Sequence, residues 1–234
     1  MALNARLRAV ADYVCGGALV VDVGCDHAIL PIELVRENRV KRVIACDIGE
    51  GPLSIARRNI ERAGLSDVIE TRLSDGLKKI SPDEADHIVI AGMGGNLISD
   101  IIGAVEWTKS EKYRFILQPM TSADDLRGWL CENGFYIESE TPVYDAKRLY
   151  TVMLCRYDGK RRNMPPEYRY IGEISVATKE GRDLICRQIR SMERRLSSLD
   201  NAKHDHPETD ELKEILTAMK ERLEKSNADI KGNL

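Results

Sequence analysis

The stretch VVDVGCDHAILP, from Val20 to Pro31, constrains the fold of this chain more than any other. A short apolar run, interrupted only by Asp22, reaches Gly24 and gives way to a polar turn. Pro31 then begins a predicted helix, PIELVREN, where its missing N–H costs nothing. A strand, a glycine turn and a helix N-terminus in this order are typical of a nucleotide-binding βαβ unit.

The turn itself is acidic rather than rich in glycine. The dinucleotide fingerprint needs two further glycines at set spacing, whereas this turn has Asp26 and Ala28 in their neighbourhood. A pyrophosphate is therefore a poor fit, and a nucleoside that carries a positive charge suits the turn better. An ordinary buried βα turn is the alternative for this stretch taken alone.

Composition and charge exclude several classes of protein. No apolar run approaches the ~20 residues of a membrane-spanning helix, and the start, MALNARLRAV, lacks the apolar region of a signal peptide. The six cysteines form no CxxC pair, so we expect reduced, mostly buried thiols in a cytoplasmic protein. A net charge of −3 argues against a protein that coats nucleic acid but permits a local basic patch.

Predicted strands and helices alternate after this point. The predicted strands are Ala18 to Val23, RVIACD, Val68 to Arg72, ADHIVIAGMGG and YRFILQP. Helices are predicted before Gly16-Gly17, from Gly51-Pro52 to Ala63, and in SADDLRGWLCENG, with Ser122 as its N-cap.

Small or acidic residues follow three of these strands. Asp47 ends the second strand, 25 residues after Asp22, where such folds accept hydrogen bonds from ribose hydroxyls. Ser74-Asp75-Gly76 follows the third strand, and Ala91-Gly92-Met93-Gly94-Gly95 ends the fourth. The pattern indicates a doubly wound parallel sheet with its ligand crevice at the carboxyl ends of the strands. A surface carboxylate that merely closes a strand is the alternative for Asp47.

The alternation then stops. FYIESETPVY and RLYTVMLCRY are separated only by Asp145-Ala146-Lys147, which predicts an antiparallel hairpin at the sheet edge. The predicted fold class is therefore α/β, with a Rossmann-like, mainly parallel seven-stranded sheet ending in an antiparallel hairpin. This architecture resembles the class I S-adenosylmethionine-dependent methyltransferases and not a dehydrogenase, whose second half repeats the βαβ unit.

A separate C-terminal part is predicted from a polar linker, Asp158 to Pro166. We expect a catalytic domain over residues 1–157 and a helical, coiled-coil-like hairpin within 158–234. A chain ending near Arg156 should then fold alone. The hairpin is predicted from steps of three and four between apolar residues, first in Ile185, Ile189, Met192, Leu196 and Leu199, then in Leu212, Leu216, Met219 and Leu223.

The charge of this C-terminal part is polarised. Lys160 to Arg195 contains ten Lys and Arg against five Asp and Glu, whereas Asp200 to Asp229 contains five against nine. Pairing between two solvated helices is one interpretation, and a basic arm that holds a polyanion is the other. His204 and His206 flank Asp205 in the connecting loop, but no third ligand is in view, so no metal site is predicted.

Four segments in this order carry a resemblance to a known family: GCDHAILP, Ser74-Asp75-Gly76-Leu77, AGMGG and LQP. Together they resemble the bacterial tRNA adenine-N1 methyltransferases that modify adenine 22, the TrmK family. The resemblance covers the whole catalytic domain, and the C-terminal helical hairpin fits it. Two positions depart from the family motifs: Ile29, where tyrosine usually stands, and Met120, where asparagine usually stands. The Met120 departure removes a polar group from the rim of the target-base pocket.

The resemblance implies methyl transfer from S-adenosylmethionine to N1 of an adenine in tRNA. Adenine N1 already carries its lone pair, so no strong base is needed, and alignment of the reacting atoms supplies most of the acceleration. Asp26 is the implied catalytic residue, because it can accept a hydrogen bond from the adenine amino group and stabilise the charge arriving on the ring. A paired target base must first be flipped out.

The resemblance also implies where the ligands bind. Asp47 would hold the ribose hydroxyls and Asp75 the cofactor's adenine amino group. The implied cofactor-binding residues are Asp22, Gly24, Cys25, His27, Asp47, Ile48, Gly49, Asp75, Gly76, Ala91, Gly92 and Met93. The expected tRNA-binding residues are Arg161, Arg162, Arg187, Arg190 and Arg194. A monomer or weak dimer without metal or membrane contact is expected.

Three other functions are open from the residues alone. A small-molecule methyltransferase would share the sheet but would leave the basic arm unexplained. A non-catalytic RNA-binding module would not need acidic turns at the strand ends. A nicotinamide-dependent oxidoreductase would need the missing glycines.

Overall fold

The structure, a computed structural model, describes residues 2–201 and 209–232, without the side chains of 200, 201 and 225–232. The loop containing His204 and His206 lies outside the described residues. The strands are β1 (Ala18–Val23), β2 (Val40–Asp47), β3 (Ile69–Leu73), β4 (His87–Gly94), β5 (Arg114–Thr121), β6 (Phe135–Asp145) and β7 (Arg148–Tyr157). The helices are α1 (Ala5–Asp12), α2 (Ile29–Arg36), α3 (Glu50–Ala63), α4 (Gly95–Gly103), α5 (Ala123–Glu132), α6 (Tyr168–Ile171), α7 (Lys179–Asn201) and α8 (Thr209–Gly232). Short 3₁₀ turns cover Pro82–Glu84 and Glu106–Thr108.

All seven strands form one sheet in the order β3-β2-β1-β4-β5-β7-β6. The first five are parallel, and β7 pairs antiparallel with both β5 and β6. The predicted fold class, with its closing hairpin, is confirmed. Because the strand order reverses between β1 and β4, a crevice opens at their carboxyl ends.

Both faces of the sheet are covered, as the continuous apolar runs require. In β1, Val21 and Val23 belong to the apolar core on one face, while Val20 belongs to the core on the other face. In β4, Ile88 packs in the core on the first face and Val89 in the core on the other face. The strand period of two therefore sets which residues support each layer of helices.

The start of α2 differs from the sequence prediction. α2 begins at Ile29, two residues before Pro31, after Ala28 in the left-handed region at φ 56°. Pro31 is still tolerated, since it lies in the first turn, where N–H groups have no partner within the helix. Ser122 is the N-cap residue of α5, as predicted, but it has φ 51° and its side chain makes no cap hydrogen bond.

The C-terminal segment is fastened to the sheet by a buried ion pair. Arg127 of α5 contacts Glu140 of β6 at 3.0 Å, and both side chains are almost fully buried. Arg127 also donates to the carbonyl of Arg169 at 2.8 Å, and Glu140 accepts the N–H of Glu173 at 2.7 Å. Tyr168 is buried in the core beneath α5. Residues after 157 thus complete the sheet's surroundings, which makes Arg156 a poor place to end the chain.

α7 and α8 pack against each other through the apolar positions that the sequence indicates. Ile185, Ile189 and Met192 are buried with Met219 in a core that includes Leu149 of β7. None of the helices in the part of the chain that is described is long and apolar enough to cross a membrane.

Candidate active site

A cavity of about 320 Å³ lies at the reversal of the strand order, outside the carboxyl ends of β1 and β4. This volume is at the lower end of the range for small-molecule sites, roughly 300–1,000 Å³. Seven predicted site residues line it: Asp22, Gly24, Cys25, Asp26, His27, Ala91 and Gly92. Four residues without a predicted role complete it: Arg6, Leu7, Ile29 and Leu30.

The turn after β1 has a constrained backbone. Gly24, Asp26 and Ala28 have φ values of 74°, 47° and 56°, all in the left-handed region. The N–H groups of Gly24 and Cys25 both donate to the carbonyl of Cys46, at 2.8 and 3.1 Å. Aspartate tolerates a positive φ better than most residues, so the turn holds Asp26 at the cavity rim at modest strain. Its side chain is 74% exposed, with an oxygen 3.5 Å from Nε2 of His27.

Asp22 is the buried carboxyl of the site. It lies within β1, only 5% exposed, and lines the cavity. Burial and the neighbouring carboxylate of Asp47 raise the pKa of Asp22 to about 7. A cationic ligand in the cavity would favour the ionised form of Asp22. The donor set therefore fits S-adenosylmethionine, whose sulfur carries a positive charge, better than it fits a phosphate.

Asp47 ends β2 next to this cavity, although it does not line it. Its Oδ1 accepts the N–H of Gly49 at 2.9 Å, which fixes the turn into α3. Ile48, between them, is 72% exposed. One oxygen of the Asp47 carboxylate thus orders the turn, and the apolar side chain of Ile48 is exposed to solvent beside it.

Asp75 lies farther along the same edge of the sheet, after β3. Its Oδ2 accepts a hydrogen bond from Nζ of Lys78 at 2.6 Å, and its side chain is 57% exposed. The neighbouring Gly76 has φ 56°, and its carbonyl accepts the hydroxyl of Ser74 at 2.8 Å. The structure therefore places Asp75 and Gly76 at the same carboxyl end of the sheet as the cavity, but outside the cavity itself.

The glycine-rich end of β4, where its pairing with β5 is irregular, forms the opposite wall. Gly92 has φ 84° and lines the cavity, as does Ala91. Met93 faces the β1 turn instead: a Cβ on Gly24 would lie 2.2 Å from Cε of Met93. The Met93 methyl is the end of a flexible side chain and can move, so glycine at position 24 is favoured mainly by its φ of 74°.

Arg6 and Gln118 belong to the site although no role was predicted for them. Oε1 of the fully buried Gln118 accepts hydrogen bonds from Arg6 at 2.5 Å and from the N–H of Gly92 at 3.1 Å. Gln118 lies in the LQP segment, which marked it as part of a motif. Arg6 could not be predicted from the sequence, because a single arginine in an amphipathic helix is common. Its place in the site depends on how α1 packs over the cavity.

The predicted tRNA-binding arginines are not all brought together. Arg187 and Arg190 of α7 line a second cavity beside Met120. Arg161 and Arg162 lie after β7 at the opposite end of the sheet, and Arg162 is ion-paired with Asp158 at 2.6 Å. Arg194 is exposed farther along α7.

The cysteines near the site are poor nucleophiles. Burial raises the pKa of the Cys46 thiol to about 12, and burial also raises the pKa of the Cys25 thiol. Among the described residues, no group of three His, Cys, Asp or Glu side chains could hold a metal ion.

Comparison with known proteins agrees with this geometry. A family described as "Methyltransferase domain" matches residues 3–153. The chain is 38% identical over 164 residues to the tRNA (adenine(22)-N(1))-methyltransferase of Bacillus subtilis, covering 67% of this chain and 69% of that protein.

Solved structures extend the similarity to the C-terminal helices. The TrmK tRNA methyltransferase of B. subtilis superposes with a TM-score of 0.79 at 29% identity, over 95% of this chain and 96% of that one. A candidate tRNA methyltransferase of Streptococcus pneumoniae, solved in complex with S-adenosyl-L-methionine, gives a TM-score of 0.75 at 33% identity, over 93% and 98%.

Proposed function

The chain belongs to the family of tRNA (adenine(22)-N(1))-methyltransferases, and we propose that it transfers the methyl group of S-adenosylmethionine to N1 of adenine 22 in tRNA. The observation that carries this proposal is the cavity at the β1/β4 reversal, which has a buried carboxyl, Asp22, and an exposed one, Asp26, on its lining. S-adenosylmethionine, when bound, supplies an electrophilic methyl group on a positively charged sulfur.

Asp26 acts on the target base. It lies on the cavity rim with its carboxylate in solvent, within reach of a base that enters from outside. Its carboxylate accepts a hydrogen bond from the adenine amino group and stabilises the positive charge that develops on the ring. Guanine presents a carbonyl oxygen at that position, so Asp26 also disfavours guanine. No residue needs to remove a proton from N1, because N1 attacks through its lone pair.

Asp22, Asp47 and Arg6 hold the cofactor. Ionised Asp22 stabilises its positive charges, and Asp47 accepts hydrogen bonds from the ribose hydroxyls beside the exposed Ile48. Arg6 is the cation on the cavity lining and pairs with the carboxylate of the methionine part. Asp75 and Gly76 lie beyond Asp47 on the same edge and suit the adenine end.

The C-terminal hairpin contributes to tRNA binding through its basic residues. A chain ending at Ser175 keeps Tyr168 and the carbonyl partner of Arg127, so it should fold and bind S-adenosylmethionine. It should bind tRNA more weakly and with a flatter salt dependence, because each lost phosphate contact reduces the salt slope by roughly 0.9 for a duplex. Full tRNA affinity together with a lower melting temperature would show that the hairpin only caps the domain. Arg161 and Arg162 would make a separate contact with tRNA, since they lie at the end of the sheet opposite to Arg187 and Arg190.

A methyl-transfer assay with competing acceptors tests the proposal. The protein, labelled S-adenosylmethionine and either total bacterial tRNA or a set of small amines are incubated, and the acceptor that gains label is measured. Label in tRNA alone supports the proposal. Label only in small amines would make the chain a small-molecule methyltransferase.

A further inference from the structure

A second cavity, of about 540 Å³, opens between the β6–β7 turn and α7. Cations and tyrosines provide most of its lining: Lys147, Arg148, Arg187, Arg190, Tyr144 and Tyr150. We call it the hairpin groove. It is separate from the cavity at the β1/β4 reversal, which we call the cofactor cavity because we propose that S-adenosylmethionine binds there. No role was predicted for Lys147, Arg148 or either tyrosine.

The cations of the hairpin groove are available to a ligand. Lys147, Arg148 and Arg190 are exposed, and none of them forms an ion pair with another residue of the described ranges. Elsewhere on the surface, arginines are commonly neutralised: Arg72 is paired with Glu84 at 2.7 Å, for example. A cluster of exposed cations that stays unpaired attracts a polyanion.

The acidic side chain in the groove lining is engaged with a tyrosine. Oδ2 of Asp183 accepts the hydroxyl of Tyr144 at 2.9 Å. Arg187 donates to the carbonyl of Leu149 at 2.8 Å, which anchors α7 against the start of β7. Within the described part of the chain, the Tyr144 side chain is bonded through its hydroxyl only, and the residue remains 38% exposed.

The groove lies directly beside the cofactor cavity. The guanidinium of Arg6, which lines that cavity, is 6.0 Å from the ring centroid of Tyr150, which lines the groove. Met120, at the end of β5, is 39% exposed and also lines the groove. A polymer in the groove could therefore continue into the site where the methyl group is transferred.

We propose that the hairpin groove binds a single-stranded RNA segment adjacent to the target adenine, with phosphates on its cations and one base stacked on Tyr144. This inference rests on the proposed function. N1 lies on the pairing edge of adenine, so the base must be unpaired and its neighbours must leave the helical stack. Proteins hold such segments with basic grooves that contain aromatic rings, whereas a duplex would contact the cations and leave the rings unused.

Charge reversal tests the phosphate contacts. We compare Lys147→Glu/Arg148→Glu with Lys41→Glu/Lys112→Glu, a matched change at the amino ends of β2 and β5, the end of the parallel strands opposite to the groove. The groove variant should bind tRNA at least tenfold more weakly at physiological salt, with a salt slope smaller by roughly 1.4 for two single-strand contacts. Its affinity for S-adenosylmethionine, measured by calorimetry, should equal that of the wild type. Equal tRNA affinity in the two double variants would overturn the proposal.

Two substitutions at Tyr144 test the stacking. Tyr144→Phe keeps the ring and loses the bond to Asp183, whereas Tyr144→Ala loses both. Alanine should weaken binding of an unpaired RNA oligonucleotide by roughly 5- to 150-fold, the scale of one stacked base, and phenylalanine should bind like the wild type. Equal binding by all three proteins would overturn the stacking. A failure of the proposed function would be seen separately, because the wild type would then methylate no tRNA in the transfer assay. The binding comparisons test the groove alone.

Discussion

The guanidinium of Arg6 donates a hydrogen bond to Oε1 of Gln118 over 2.5 Å, across 112 residues of sequence. The same oxygen accepts the N–H of Gly92 at 3.1 Å. Through these bonds α1 closes one side of the candidate active-site cavity and is tied to Gly92 near the end of β4. The N-terminal helix is therefore part of the site and not only a cover for the sheet.

Arg6→Ala should weaken S-adenosylmethionine binding by about 1.5–3 kcal/mol, the scale of hydrogen bonds to charged groups. Arg8→Ala is the matched control, since Arg8 lies in the same helix but pairs with Glu37 at 2.6 Å, away from the cavity. Calorimetry on both variants measures the difference. Equal affinities would remove Arg6 from the cofactor site.

Cofactor affinity should depend on pH through Asp22. Because the pKa of Asp22 in the free protein is raised to about 7, binding a cationic ligand below that pH requires the loss of a proton. Affinity should therefore be about tenfold weaker at pH 6 than at pH 8. The Asp22→Asn variant should show no such rise. A flat profile in the wild type would contradict this role.

The same pKa predicts a stability change of defined sign. The folded chain keeps a proton on Asp22 between about pH 4 and 7 that the unfolded chain has lost, so this stabilisation is complete at low pH and is lost as the pH rises through 7. His87 acts in the opposite direction, because burial lowers its pKa to about 4, so its stabilisation is lost as the pH falls towards 4. Asp22→Asn should therefore raise the melting temperature of the free protein more at pH 8 than at pH 5. The reverse order would show that Asp22 is not the buried acid described here.

Asp47→Ala should weaken S-adenosylmethionine binding by ~1.5–3 kcal/mol. This variant also loses the bond to the Gly49 N–H, so Asp47→Asn serves as the control that retains an acceptor oxygen for the turn. If only the turn mattered, asparagine would restore full affinity. A loss in both variants assigns Asp47 to the ribose hydroxyls.

At position 26, Asp26→Asn is a better test than alanine, because asparagine tolerates the φ of 47° that the turn imposes. Turnover on tRNA should fall by orders of magnitude, while calorimetry should show nearly unchanged cofactor affinity. Near-normal turnover would rule out the proposed catalytic role of Asp26. A parallel loss of cofactor affinity would instead assign Asp26 to cofactor binding.

The fold and the family could be predicted from the sequence because the signals are local. The apolar runs, the acidic residues at the carboxyl ends of β1, β2 and β3, and the short turn at Asp145-Ala146-Lys147 are each contained in a few consecutive residues. Arg6 could not be placed, since its partner Gln118 is brought near only when α1 packs on the sheet. The hairpin groove was hidden for the same reason: it joins the β6–β7 turn to a helix that begins more than 30 residues later.

The most direct test of methyl transfer to adenine 22 locates the methyl group on the RNA. A tRNA transcript with adenine at position 22 and a second one with guanine there are incubated with the protein and S-adenosylmethionine, digested to nucleosides and analysed by mass spectrometry. We expect N1-methyladenosine from the first transcript and none from the second. Equal methylation of both, or a methyl group on another atom of adenine, would contradict this expectation.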